Sequence, residues 1–135
     1  MQLYFALLLS SFPFVHSLTV AGKLECCAGK KTPCPSYAQP TNVVVYNKYL
    51  FFKDRAIGSA MSDRKTGNFL ITTPFNKNAR PYVRIEHTCG AKPGCRRVLQ
   101  FDVPTVFVKR GLTFSIAHLI LDRPFHGKNQ EICDG

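Results

Sequence analysis

The stretch HTCGAKPGCRR, His87 to Arg97, crowds a histidine, two cysteines and the cations Lys92, Arg96 and Arg97 into one short segment. Four roles fit such a set: a metal centre, a thiol redox switch, a cationic docking patch, or a cross-linked turn. Zinc would find His87, Cys89 and Cys95, but the tight Cys-x-x-Cys and His-x3-His spacings of structural zinc sites are absent. A redox Cys-x-x-Cys is absent as well, and the adjacent pair Cys26–Cys27 is not that motif. The residues therefore predict neither a metal nor a cofactor.

Acid–base and nucleophilic chemistry fare no better. His87 shares the phase of Val83 and Ile85 and reads as a packed, hydrogen-bonded side chain. His118, in phase with Phe114 and Ile116, reads as a core or sheet-face residue, and His126 falls near the C-terminus. There is no Gly-x-Ser-x-Gly and no phosphate-cradling loop, and the eight acids are scattered. No catalytic residue is expected.

The choice between patch and staple depends on the compartment. The uncharged opening MQLYFALLLSSFPFVHS has an apolar run from Leu3 to Leu9, too short for a bilayer span and suited to a secretory leader cut after Ser17. The sequence thus predicts a secreted, extracellular protein with residues 1–17 as signal peptide, 18–122 as one domain, and 123–135 as a polar tail tied by Cys133. All six cysteines, Cys26, Cys27, Cys34, Cys89, Cys95 and Cys133, follow the leader. In an oxidising compartment an even count reads as a disulfide framework.

The elements that position these residues are short strands. Leu18, Val20, Leu24 and Cys26 share one phase; NVVVY and YLFF are rich in strand formers; FLITT, YVRIEH and VLQFDV follow, and LTFSIAHLIL is a last long strand. Gly, Pro and Asn separate them at the spacing of an all-β sandwich of about seven strands. No stretch has a helical apolar period, although a short helix around Ala56–Met61 would be tolerated. Neighbouring strand residues point to opposite faces, so Cys26 and Cys27 should have different partners. With Cys26 and Cys89 both in buried phase, the alternation predicts a Cys26–Cys89 bridge and an outward Cys27 joined to Cys34 or Cys133.

In order and spacing, VAGKLEC, NVVVY, SDRKTGNF, YVRIEHTC and CRRVLQFDVP resemble the transthyretin-like family of secreted nematode proteins, over roughly residues 19–122. The resemblance implies a transthyretin-type, immunoglobulin-like β-sandwich. Three residues separate Asp63 from Gly67 where the family usually has two, Gly90 stands where Asn is common, and Ala117 replaces a usual Gly. Cys27, Cys34 and Cys133 look additional to the family pattern. The related hydroxyisourate hydrolases carry a Tyr-Arg-Gly-Ser ending; this chain reads EICDG there, so the resemblance implies no enzyme.

Charge remains. Eighteen Lys and Arg against eight Asp and Glu give a formal +10, which attracts anionic partners through a salt-screened field. Two functions follow. One is a secreted binding or bridging module for an extracellular partner (an anionic lipid, glycan or protein surface), with Lys92, Arg96 and Arg97 as the candidate docking patch. The alternative is a carrier holding a small apolar ligand in a transthyretin-type sandwich. No RNA-binding aromatic motif or zinc-finger spacing points to nucleic acid, and no second long apolar run points to an integral membrane protein.

Overall fold

Alternation of apolar and polar residues sets up two sheets. The computed structural model describes residues 17–29, 33–76, 78–123 and 127–134. Residues 1–16 of the expected leader (1–17), Lys30–Lys31 and His126 lie outside the described residues. Strand β1 (Ser17–Glu25) directs Leu18, Val20 and Leu24 inward, each fully buried. It runs through the centre of a three-stranded sheet, antiparallel to β4 (Asn68–Pro74) and parallel to β7 (Thr113–Ile120). The second sheet is antiparallel throughout, in the order β3 (Arg55–Met61), β2 (Asn42–Asn47), β5 (Pro81–His87), β6 (Cys95–Asp102) and β8 (Lys128–Cys133).

Val43, Val45, Val83, Ile85 and Leu99 of the larger sheet pack on Leu18, Val20, Phe69 and Ile71 of the smaller one. Each such burial contributes about 1.5–3 kcal/mol, more than any exposed edge pairing supplies. The β-sandwich expected from the strand spacing is therefore present. Along one side the sheets close where the Thr73 hydroxyl donates to the Ile57 carbonyl at 2.5 Å. At one end the sandwich is capped by a helix, α1 (Thr105–Arg110), which buries Val108 and is stopped by left-handed Gly111.

Four sequence expectations change. The YLFF segment is not a strand: Tyr49, Leu50, Phe51 and Phe52 form the exposed β2–β3 connection, because no neighbouring strand or apolar layer receives them. Ala56–Met61 is strand rather than helix, since β2 offers it a ladder. Residues 128–133, read as part of a tail tied by Cys133, form β8 beside β6, with Cys133 opposite Cys95. Its side chains are almost all exposed, so it leaves no alternation to read. Finally, the β1–β7 register shifts by one residue, with Ala21 opposite Ser115 but Lys23 opposite His118. That bulge puts Ala117 at φ 55° and reverses the phase. Leu119 is buried, and His118 points outward to meet the Glu25 carboxylate rather than entering the core.

The Asp63–Gly67 turn locks the sheets in register. The Asp63 carboxylate accepts the Lys65 and Thr66 N–H groups at 2.7 and 3.1 Å. These backbone bonds hold its pKa below the usual carboxylate range. Gly67, at φ 76°, then accepts the Leu24 N–H through its carbonyl at 2.9 Å. A Cβ there would lie 2.3 Å from the Leu24 carbonyl oxygen. Gly67→Ala is expected to destabilise the fold by about 2 kcal/mol or more, through both backbone strain and this backbone clash. Ala117→Gly should do the reverse and stabilise by up to about 1 kcal/mol, because Gly adopts the positive φ of the bulge without the steric cost of a Cβ. Urea midpoints of the two variants check both signs.

Candidate functional site

The C-terminal ends of β1, β5, β7 and β8 and the N-terminal ends of β2, β4 and β6 meet at one end of the sandwich. All three disulfides lie there: Cys26–Cys89, Cys27–Cys34 and Cys95–Cys133. The first is the bridge expected from strand phase, and Cys34 is one of the two partners expected for Cys27. The direction of Cys27 is corrected: it is 2% exposed, because β1 ends at Glu25 and the chain turns inward beyond it. The carboxylate of Asp122 accepts the backbone N–H groups of Cys27 and Gly29 at 3.0 and 3.4 Å. Burial pushes that carboxyl up, but the N–H groups around it outweigh burial and hold it below its ordinary range.

His87 sits beneath this cross-linked roof, 4% exposed, edge-on to Tyr37. Its Nδ1 accepts the Cys89 N–H at 3.1 Å, which places the proton of the neutral ring on Nε2. Nε2 is buried without a hydrogen-bond partner among the described residues. Burial, reinforced by the nearby Arg97 guanidinium and only partly opposed by Asp122, lowers its pKa to about 4. His87 is thus held neutral at physiological pH. No Ser, Thr or Cys side chain is hydrogen-bonded to His87 or His118 among the described residues. The closest metal-like grouping, Cys26, Cys89 and Asp122, has its two sulfurs consumed in one disulfide.

The three cations singled out in the sequence lie at this stapled end but do not form one face. Lys92 is exposed in the β5–β6 connection, its backbone N–H bound to Glu131. Arg96 pairs with Glu86 and, at 2.6 Å, with Asp134. Arg97, one residue on and therefore on the other side of the sheet, lies opposite His87 and reaches Asn129. Two of the three are already engaged with protein groups.

The acidic residues explain where the excess charge goes. Each of the eight has an internal partner. Asp63 and Asp122 accept backbone N–H groups, as does Glu131. Asp54 accepts the Tyr82 hydroxyl, and Glu25 meets His118. Glu86, Asp102 and Asp134 pair with Arg84, Lys48 and Arg96. Among the described residues, only Lys48, Arg84 and Arg96 of the Lys and Arg side chains are in ion pairs with carboxylates. Most of the other described Lys and Arg residues are exposed, while Lys23, Arg97 and Arg123 are half-buried.

The opposite end has a different character. There the β2–β3 connection exposes Leu50, Phe51 and Phe52, and Lys53, Arg55 and Arg80 flank it on exposed positions. Sequence reasoning missed this loop by reading YLFF as a strand. The available signal was an unbroken apolar triplet between lysines with no period-2 alternation. Beside it, β7 and β6 diverge around a cleft of about 610 Å³ with Phe101, Phe114 and Ile116 on its walls and Lys48 and Lys128 at its mouth. No helix among the described residues is long and apolar enough to cross a membrane.

Comparison with known proteins adds one strong finding. The TTR-52 model, described as the transthyretin-like family, matches residues 22–104, more than half of the chain. No curated protein matches. Among solved structures, a 9R-lipoxygenase from Cyanothece PCC8801 aligns with 12% identity and a TM-score of 0.45, covering 82% of this chain and 17% of its own.

The lowered pKa of His87 makes stability depend on pH. The unfolded chain binds a proton near the ordinary value of 6.5, whereas the folded protein resists until about 4. Stability is therefore full above pH 6.5 and falls as the pH drops through this window, by an amount on the order of 2 kcal/mol. Losses from Asp63 and Asp122 follow only below their ordinary value of 3.8. Denaturation curves from about pH 7 to about pH 4 should show this slope for the native chain and a flatter one for His87→Gln.

Proposed function

The chain belongs to the transthyretin-like family, and from that membership together with the charge distribution we propose that it is a secreted, non-enzymatic module that binds an anionic extracellular surface. The supporting observation is the excess of eighteen Lys and Arg over eight acids, with most of the described Lys and Arg exposed and only Lys48, Arg84 and Arg96 among them in carboxylate ion pairs. An approaching polyanion therefore meets net attraction. Three disulfides suit an oxidising extracellular setting. Neither His87, buried and neutral, nor His118, paired with Glu25, is arranged to activate a nucleophile.

Of the cations singled out in the sequence, Lys92 is the one that is exposed and in no carboxylate ion pair, while Arg96 is neutralised and Arg97 half-buried. The reading therefore rests on the whole cationic surface, to which Lys92, Arg96 and Arg97 contribute at one end and Lys53, Arg55 and Arg80 at the other.

A second reading has its own support. The cleft walled by Phe101, Phe114 and Ile116 has a volume in the range of small-molecule sites, which suits a carrier of a small apolar ligand. Its wide mouth and charged rim favour this reading less than the surface charge favours the first.

Retention on heparin or on anionic vesicles should fall at least about tenfold between 0.1 and 1 M salt, as the screening length shrinks from about 10 to about 3 Å. Replacing Lys53, Arg55 and Arg80 with Gln should weaken retention more than replacing Lys92, Arg96 and Arg97, of which Arg96 is paired with carboxylates and Arg97 is half-buried. Retention that ignores salt, combined with saturable uptake of an apolar dye abolished by Phe114→Glu, would favour the carrier.

A further inference from the structure

The unstapled end carries an arrangement that charge alone does not explain. Among the described residues, the exposed large apolar side chains are Tyr49, Leu50, Phe51, Phe52, Val106 and Leu112 at that end, with only Met61 and Leu70 elsewhere. Leu50, Phe51 and Phe52 are 82%, 89% and 78% exposed. A soluble surface tolerates single apolar residues, but three in succession at one tip mark a site of contact with something apolar.

Cations surround the tip. Lys53 and Arg55 follow it in the chain. Arg80 is brought to its root by two backbone contacts: its N–H donates to Asn47 Oδ1 at 2.9 Å, and its carbonyl accepts the Lys48 N–H at 3.2 Å. Lys109 and Arg110 close α1 at the same end of the sandwich, beside Leu112. The two acids there, Asp54 and Asp102, are occupied by the Tyr82 hydroxyl and Lys48. An apolar tip thus stands within a collar of positive charge.

We propose that this end docks on an anionic lipid bilayer, with Leu50, Phe51 and Phe52 entering the acyl region and Lys53, Arg55 and Arg80 lying at the headgroup phosphates. The inference rests on the anionic-surface reading above and names the surface as a membrane. A protein partner would have to offer a pocket matched to three consecutive exposed apolar side chains, whereas fluid acyl chains close around an exposed tip of any outline. The order along the chain also fits: Tyr49 precedes the apolar triplet, Lys53 follows it, Arg55 opens β3 and Arg80 stands in the β4–β5 connection at the root of the tip, so an amphipathic ring and cations border the apolar residues. Each cation near an anionic membrane surface adds about a fivefold gain in partitioning, and the buried apolar area adds a component that salt does not screen.

The chain contains no tryptophan, so Phe51→Trp supplies a single reporter in the intact, oxidised protein. With vesicles of phosphatidylcholine plus phosphatidylglycerol, F51W emission should shift to shorter wavelength and be quenched by lipid brominated along its acyl chains. The same replacement at exposed Leu70 should show neither change. Replacing Leu50, Phe51 and Phe52 together with Ser should leave the melting temperature unaltered and heparin retention intact. It should reduce vesicle binding at high salt by at least about tenfold. If F51W co-sediments with the vesicles while its emission stays that of an exposed indole, or if the protein binds heparin but not the vesicles, insertion is wrong and the charge reading stands. Binding to neither would remove both. A concentration-dependent dimer abolished by the triple Ser replacement would assign the tip to a second copy of the chain instead.

Discussion

Four consecutive residues, Leu24 to Cys27, hold the molecule together. Leu24 gives its N–H to Gly67 and its carbonyl to Tyr37, while the Glu25 carbonyl takes the Leu121 N–H. Cys26 donates to Pro35 and is bridged to Cys89, and Cys27 donates to Asp122 and is bridged to Cys34. Four separate segments thus converge on the end of one central strand and the two residues after it. The constraint is severe because β1 has neighbours on both edges and the second sheet on its inner face, so it cannot shift without unseating all of them. The glycine at 67 and the carboxylate at 122 follow from it: one keeps the turn backbone off β1, the other satisfies donors that leave the ladder.

Function sits against that frame in a divided way. The stapled end is rigid, holds the neutral His87, and uses its acids to secure backbone. The other end has no cross-link and presents aromatic and cationic side chains to solvent. The carboxylates link the two descriptions. They secure turns, loops and pairs within the fold, and being only eight against eighteen Lys and Arg they leave the outward field positive.

Much of this was legible in the sequence, and the exceptions have a common cause. Strands β1, β2, β4, β5 and β6 bury one face, so alternation reveals them, and the same alternation anticipates the Cys26–Cys89 pairing. Strand β8 is solvated on both faces and therefore leaves no pattern. Helix α1 is a bare turn and a half, too short to show a period. For His118, read as a core or sheet-face residue, the core alternative came from carrying the phase of Phe114 and Ile116 straight through Ala117, where the bulge inverts it; the Gly usual in the family at that position was the available hint of a positive φ. The Leu50–Phe52 loop was hidden by composition: aromatic residues favour strands when a neighbour covers them, and nothing in the local sequence says that none will. The candidate trio failed to converge for a simpler reason, since Arg96 and Arg97 are adjacent in a strand and must diverge.

Placing every cross-link at one end has a consequence for how the sandwich breathes. Local opening is cheapest where few covalent and buried contacts must be broken, so stability is graded along the strand axis. The closed ends of β1, β5 and β6 should be the last to exchange their amide protons, and the β2–β3 tip, the helix cap and the start of β8 the first. Such a gradient lets one end rearrange its side chains on contact with a soft surface while the strand register, pinned some strand-lengths away, is preserved. The molecule is built like a brush with a fixed ferrule, compliant only where it touches.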